Sequence, residues 1–534
     1  MSRSPTGWRA VWLAMRTWRT AAVSLLSFSS GLPLGLVWIA IPTWLAQEQV
    51  DIKLIGLFTL AQAPWTFKFL WSPVMDRYAA PVPNAGRKLG WALLTQLMLF
   101  GLTLALAGVP FRPEVIWIVG SLTLAMAFSS ASQDIAIDAY AVEVLRPEEQ
   151  GVAVGARIAL YRAAMFVAGG LAITLAGLWS WQAVFALLAA LYLPMMAVTW
   201  LAPRSDYDRV APPPSLRAAV WEPFVHFLAV HRALEILAFV ILYKLSDNLA
   251  TALVRPFLVQ MGFNNFDVGV ATATIGLVAT LAGTLLGGLF TTAWGLGHAL
   301  WIFGVLQTLA TLGYVAVAGV GVNRPLMYTA MGFESLTTGM GTGAFSVLLL
   351  RMTQKRFSAT QYALFSSLFA VPRIFAGPVT GVLVDAVGWR NFFLITMAAG
   401  VPGLLLLQRF SPLGARDPRF DIETVGAALP LGRTDLASRA VIGGLIGFLA
   451  GAFAVAMLTA MKHYHTAPEQ GFDLLSPVVA FFLPRTPVGW LQFLGVVVFG
   501  GVIALATAAT LFARSGGLTS PGTVTHKSDD KSTS

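Results

Sequence analysis

The chain has no cysteine in its 534 residues, which excludes disulfide bridges, thiolate metal sites and thiol nucleophiles. Charge is also scarce: Asp, Glu, Lys and Arg make up only 11% of the chain, and no run is polar enough to form a separate soluble domain. No Gly-rich phosphate loop ends in Lys-Ser or Lys-Thr, so direct ATP drive is not indicated. No nucleophile with its base, and no spaced set of metal ligands, marks an enzyme. His463 and His465 flank Tyr464 in a loop, but no carboxylate or Cys spacing completes a metal site around them. The reading is of a protein without metal or cofactor.

Apolar residues dominate, at 57% of the chain. They fall into about fourteen stretches, each long enough to cross roughly 30 Å of hydrocarbon as a helix. These are 20–45, 54–75, 88–108, 114–140, 157–178, 181–201, 232–259, 266–293, 298–318, 325–350, 360–386, 389–410, 436–461 and 488–513. The fold class that follows is an all-α polytopic membrane protein. The basic start is followed by an apolar run too long for a signal-peptide core and without a small-x-small cleavage site, so it is read as a retained first helix.

A net charge of +10 would suggest nucleic acid in a soluble protein; here it records topology. Alternate loops divide the 35 Lys and Arg into about 22 on the N-terminal side, about 6 on the other and about 7 within helices, which places both termini in the cytoplasm. The Pro-rich segment 203–231 separates a first six-span half, 1–202, from a second, 232–410. A further linker and a terminal pair occupy 411–514, and the Ser/Thr/Gly-rich tail 515–534 is expected to be disordered. Ala168-Gly169, Trp181 and Phe185 recur as Ala376-Gly377, Trp389 and Phe393 at a constant offset of 208, where two parallel six-helix halves would put them.

A charge held at the bilayer centre costs about 2.5–3.5 kcal/mol on insertion scales, so ionisable residues inside spans are the first candidates for function. Asp134 and Asp138 share one face of the fourth span. Arg157 and Arg162 reach matching depths on the fifth, which makes the pairs Asp134–Arg162 and Asp138–Arg157 available. The two arginines stand about 140° apart around an ideal helix, so both pairs cannot be ideal at once. A static clip between helices and a gate or proton site remain equal alternatives. Gln133 offers an amide to a sugar or to a neighbouring helix. Lys244 and Asp247, three apart, can neutralise each other near the midplane, and Glu334 and Arg373 reach a similar depth; a cluster of both signs suits a zwitterionic or acidic solute with a proton. Lys68 is read as an anchor that snorkels, and Trp38 and Trp65 as core or sugar-stacking rings.

Asp76-Arg77 and Gly86-Arg87-Lys88 between spans 2 and 3 resemble the loop signature of the major facilitator superfamily. Phe28-Ser29-Ser30-Gly31-Leu32-Pro33-Leu34-Gly35, Lys68-Phe69-Leu70-Trp71-Ser72-Pro73 and Ser130-Ala131-Ser132-Gln133-Asp134-Ile135-Ala136-Ile137-Asp138-Ala139-Tyr140 are more specific. Together they resemble the AmpG family of bacterial muropeptide permeases. The resemblance implies a 6+6 helix bundle with two extra C-terminal helices, and proton-driven import of anhydromuropeptides across the inner membrane. Its partners would be a small muropeptide, protons and the bilayer, and not nucleic acid. It gives importance to Gly31 and Gln133 and a proton role to Asp134. Another cargo on the same scaffold, such as an acetyl-CoA-like solute, a sugar or a drug, stays open, as does a non-transporting membrane sensor.

Overall fold

The computed structural model describes residues 7–51, 54–55, 58–110, 115–228, 233–418, 432–467, 469 and 471–514. The tail 515–534 and part of the second linker, 419–431, lie outside them. Among the described residues the chain is helical, with no strand, and eleven helices are long and apolar enough to cross a membrane. The chain divides into a larger unit, 1–220 with 234–420, and a smaller one, 221–233 with 421–534.

In the larger unit a short helix α1 (Trp8–Met15) precedes α2 (Trp18–Gln47). We call the face where α2 begins proximal and the face where it ends distal. The second stretch returns in short pieces, Ala63–Phe67 and a tight turn Lys68–Leu70, ending in α3 (Ser72–Arg77). Then come α4 (Arg87–Ala107), α5 (Ile116–Val144), α6 (Pro147–Ala176) and α7 (Trp181–Leu201); we call the stretch from α2 to α7 the N-terminal half. The helices α8 (Ala233–Gln260), α9 (Asn265–Trp294), α10 (Leu296–Val320), α11 (Arg324–Met352) and α12 (Ser358–Phe410) follow, and we call them the C-terminal half. At Gly388, φ is +74°, so the chain turns within α12 where only glycine is unstrained. α11 is 29 residues long but is not among the eleven apolar helices. Glu334 and the run Thr337-Thr338-Gly339-Met340-Gly341-Thr342-Gly343 make it too polar and small.

Breaks occur where backbone bonding is interrupted. Pro33 has no N–H to donate, and a wider five-residue π turn at Leu36–Ala40 follows it. α8 is less continuous than its apolar run suggests: Lys244 sits at a break (φ −102°, ψ 3°), and Leu253 makes another (φ −123°, ψ 28°) just before Arg255-Pro256.

The recurring residues perform the same job in both halves. Trp181 donates its indole N–H to Gln47 at 2.8 Å, and Trp389 donates to Gln260 at 2.7 Å. Phe185 and Phe393 are both fully buried beneath these rings, at 5.5 Å and 5.9 Å between centroids. Each bond ties the end of a half's first helix to a later hairpin at the distal face.

Small residues permit the tightest crossings. A Cβ on Gly31 would run into the Tyr161 carbonyl and lie 2.9 Å from the Ala164 side chain, so α2 and α6 touch through their backbones. Between the halves, a Cβ on Gly288 of α9 would collide with the Gly151 carbonyl and approach Gly155 Cα to 2.9 Å.

In the smaller unit, α13 (Arg433–Thr466) and α15 (Pro487–Arg514) pair along Gly443, Gly447 and Gly451, which face Thr507, Ile503 and Val496. The segment between them holds α14 (Leu475–Phe482), whose Phe481 packs on Phe448 and Phe493.

Gly31→Ala is expected to lower the melting temperature of the detergent-solubilised protein, because overpacking a tight contact costs roughly 1–3 kcal/mol. Gly101→Ala, with nothing within 4 Å of the added carbon, is the control; equal melting curves for the two variants would contradict the crossing.

Candidate functional site

In the N-terminal half the charges converge on Asp138. The Arg157 guanidinium pairs with one of its carboxylate oxygens, and Lys68 Nζ lies 3.4 Å from the other. The Asp138–Arg157 pair is the one expected from matching depth. Asp134, 8% exposed, has Lys68, Asp138, Ser30 and Arg157 as its electrostatic neighbours.

Two expectations need correction. Asp134 and Arg162 do not pair: the 140° between Arg157 and Arg162 turns one toward the α5 carboxylates and sends the other across the bundle, where its neighbours are Arg373 and Asp247. Lys68 does not snorkel either. The turn at Lys68–Leu70 points it inward, it is 7% exposed, and it shares Asp138 with Arg157.

Gln133 is fully buried and donates to Ser29 at 2.6 Å; Ser29 also receives Gln96, which in turn accepts from Thr199. This chain binds α2, α4, α5 and α7 together, while the Gln133 side-chain carbonyl oxygen stays without a hydrogen-bond partner. Gly31 sits at the α2–α6 crossing described above, and thereby holds Tyr161 and its neighbour Arg162 in place.

In the C-terminal half, Lys244 is buried at the break in α8 and pairs with Asp247 at 3.2 Å, as their spacing allows. It also contacts the Gln307 side-chain oxygen on α10 and the Thr338 carbonyl on α11, at 3.4 Å. With those acceptors around it, its charge is answered within the protein. The Thr338 hydroxyl touches both Asp247 and Glu334, the latter at 2.9 Å, while Tyr314 donates to the other Glu334 oxygen at 3.1 Å. A hydroxyl has one proton to give, so with both carboxyls ionised one of these contacts lacks a hydrogen. A proton on either carboxyl supplies it.

Arg373 on α12 is exposed within the larger unit, and Arg162 and Lys244 are in electrostatic reach of it. Neither Arg162 nor Arg373 makes an ion pair among the described residues. Two guanidiniums, one on α6 and one on α12, are thus in electrostatic reach of each other. A site of that kind accepts anionic groups.

Hydrogen bonds between the halves concentrate at the proximal face. Asp76 at the end of α3 pairs with Lys88 at 2.5 Å and accepts from the Ala359 and Thr360 backbone N–H groups at 3.1 and 2.8 Å. A carboxylate there answers the positive end of α12. Glu143 receives Ser358 at 2.6 Å, and Arg351 donates to Gln150 at 3.1 Å. Behind them Met75, Ile135 and Ala139 pack on Ala359 and Ala363 as an apolar plug. Sequence reading recognised Asp76 and Lys88 as a loop signature but missed Thr338, Gln307, Glu143 and the partner of Asp76. The signal that Gln307 offers in the sequence is an amide in an apolar run; the others needed the contacts.

The family model of the Major Facilitator Superfamily matches residues 23–377. The anhydromuropeptide permease of Escherichia coli (strain K12) is 42% identical over 391 residues, covering 73% of this chain and 79% of that protein. A Haemophilus influenzae protein is 33% identical over 398 residues, covering 72% and 93%. Among solved structures, an outward-facing bacterial homologue of the iron transporter ferroportin superposes with a TM-score of 0.53 at 14% identity, covering 73% of this chain and 98% of that one. The human organic anion transporter MFSD10 does so with 0.51 at 16% identity, covering 76% and all of that chain, 100%. At such identities the structures speak for the fold alone.

Asp76→Ala leaves Lys88 without its carboxylate and α12 without its cap. In that variant a cysteine placed at Ala139 in the plug is expected to react about tenfold faster with a membrane-impermeant maleimide, equivalent to about 1.4 kcal/mol. An unchanged rate would mean that the latch does not hold the proximal face shut.

Proposed function

The chain belongs to the Major Facilitator Superfamily and, within it, to the anhydromuropeptide permeases, and from that membership we propose that it imports anhydromuropeptides across the bacterial inner membrane with protons. It is a multi-pass membrane transporter and not an enzyme. One observation supports the cargo: Arg162 and Arg373, from opposite halves, are in electrostatic reach of each other, and neither makes an ion pair among the described residues. Like charges held close in a medium of low dielectric repel strongly, and an anionic solute between them removes that repulsion. A muropeptide brings the carboxylates of its peptide.

Alternating access follows from the two halves. The latches at Asp76, Glu143 and Arg351 close the proximal face. The excess of basic residues assigns that face to the cytoplasm, so the conformation is the one that loads from outside. A solute bridging Arg162 and Arg373 draws the halves together around itself, and the latches are the contacts that must then part.

Two carboxyl clusters can hold the coupling proton. Asp134, beside the Asp138–Arg157–Lys68 group, is the first. The second is Asp247 and Glu334, whose shared contact with the one Thr338 hydroxyl supports a proton held between them. A proton in either site changes the charge that the midplane must balance, which ties its release to that of the anion.

Uptake of labelled N-acetylglucosaminyl-anhydromuropeptide into proteoliposomes tests the reading. Accumulation is expected only with an inward proton gradient; none in either condition, from folded protein, would overturn it. Asp134→Asn is expected to abolish accumulation while leaving the protein in the membrane, and full activity would reject its proton role. Arg373→Ala is expected to weaken uptake of peptide-bearing substrate about tenfold and the bare disaccharide far less. Equal losses on both substrates would contradict the anion site.

A further inference from the structure

The N-terminal helix α1 takes no part in the site described above, yet it lies where the halves meet. Its small face, Ala10, Val11 and Ala14, is buried, and Val11 and Ala14 pack on Val152 of α6 and on Ala293 and Leu289 of α9. The Trp8 ring stands edge-on to Phe290 of α9 at 5.9 Å. Beneath Ala10 is a cleft lined by Pro147 and Gly151 from one half and Thr292, Arg351 and Arg416 from the other. One short helix therefore straddles the proximal seam beside the Arg351–Gln150 bond and the Gly288 crossing.

Apart from the edge of Trp8 on Phe290, the opposite face of α1 is largely uncovered among the described residues. Trp8 is 59% exposed, Trp12 50% and Met15 54%, and Arg9 and Arg16 are exposed alongside them. On a helical wheel Met15, Trp8 and Trp12 form one sector and Arg16 and Arg9 the next. The Arg16 guanidinium lies 3.7 Å from the centre of the Trp12 ring. Aromatic rings beside arginines are the pattern of a helix lying in the membrane surface, its rings at the acyl boundary and its cations among anionic headgroups. Arg9 and Arg16, with Arg19 just beyond, carry no opposing carboxylate among the described residues.

We propose that α1 is a lipid-seated strap: anionic phospholipid headgroups bind its Arg9 and Arg16 face and, by holding its small face on both α6 and α9, favour the state in which the proximal seam is closed. The differential that linkage requires is present. With the seam shut, Ala10, Val11 and Ala14 are covered by protein while the rings meet lipid. With α6 and α9 apart, the helix can keep only one side of that seat.

The test needs no substrate, so it stands or falls separately from the transport reading. The chain has no native thiol, so cysteines placed at the exposed proximal positions Arg209 and Leu413 can carry spin labels without background. Distances between them are measured by pulsed electron resonance in nanodiscs of phosphatidylcholine alone and of phosphatidylcholine mixed equally with phosphatidylglycerol. The ratio of short to long distances is expected to rise about fivefold with the anionic lipid. That rise is expected to vanish in R9Q/R16Q and to persist in R9K/R16K, whose charge is retained. No lipid dependence in the parent overturns the proposal. So does a dependence that survives in R9Q/R16Q, which places the lipid elsewhere, or one that follows the number of protein copies per disc, which puts a second copy on this face.

Discussion

The cost of an unanswered charge in hydrocarbon governs this molecule. Several buried charges of the larger unit have their partners within the protein. Asp138 is shared by Arg157 and Lys68, Lys244 is enclosed by Asp247, Gln307 and a carbonyl, and Asp76 answers both Lys88 and the end of α12. Arg162 and Arg373, in electrostatic reach of each other, make no ion pair among the described residues. Their exception to the rule is what makes them the place for a solute.

Close packing sets how the halves meet. Glycines at 151, 155 and 288 let backbones touch between the halves, as Gly31 does within the N-terminal half, so dispersion contacts and directional bonds accumulate along narrow seams. A seam built that way is held by many small terms and by a few latches, and opening it exchanges one set of contacts for another. The apolar plug of Met75, Ile135, Ala139, Ala359 and Ala363 keeps water from the latches while they are closed. The same arrangement explains why the helices nearest the seam are the polar and glycine-rich ones, whereas the smaller unit pairs α13 with α15 through a simple stripe of glycines.

Several features of the site were legible from spacing. Asp138 with Arg157 followed from matching depth on neighbouring helices, and Lys244 with Asp247 from a separation of one helical turn. The Trp181 and Trp389 repeat was visible as identities at a fixed offset, and its meaning, an indole capping the end of each half's first helix, became clear from the bonds to Gln47 and Gln260. Asp134 with Arg162 gave way, as the 140° between the two arginines implied, because only one of them reaches the α5 carboxylates. Lys68 was misread because a tight turn, invisible in the apolar pattern, reversed the direction in which its side chain leaves the helix.

What the sequence by itself determined is the class of the protein. Apolar length forces helices across the bilayer because backbone groups there have no water to bond, and the cost of burial makes the few retained charges conspicuous. It also determined the motifs that identify the family. Tertiary structure decided the partners. Which guanidinium meets which carboxylate depends on helix rotation, breaks and crossing points, and Asp76 meets Thr360 across a separation that no local pattern encodes. Charge neutralisation is a property of a place in space, and the chain's order along the sequence fixes only which residues are available to fill it.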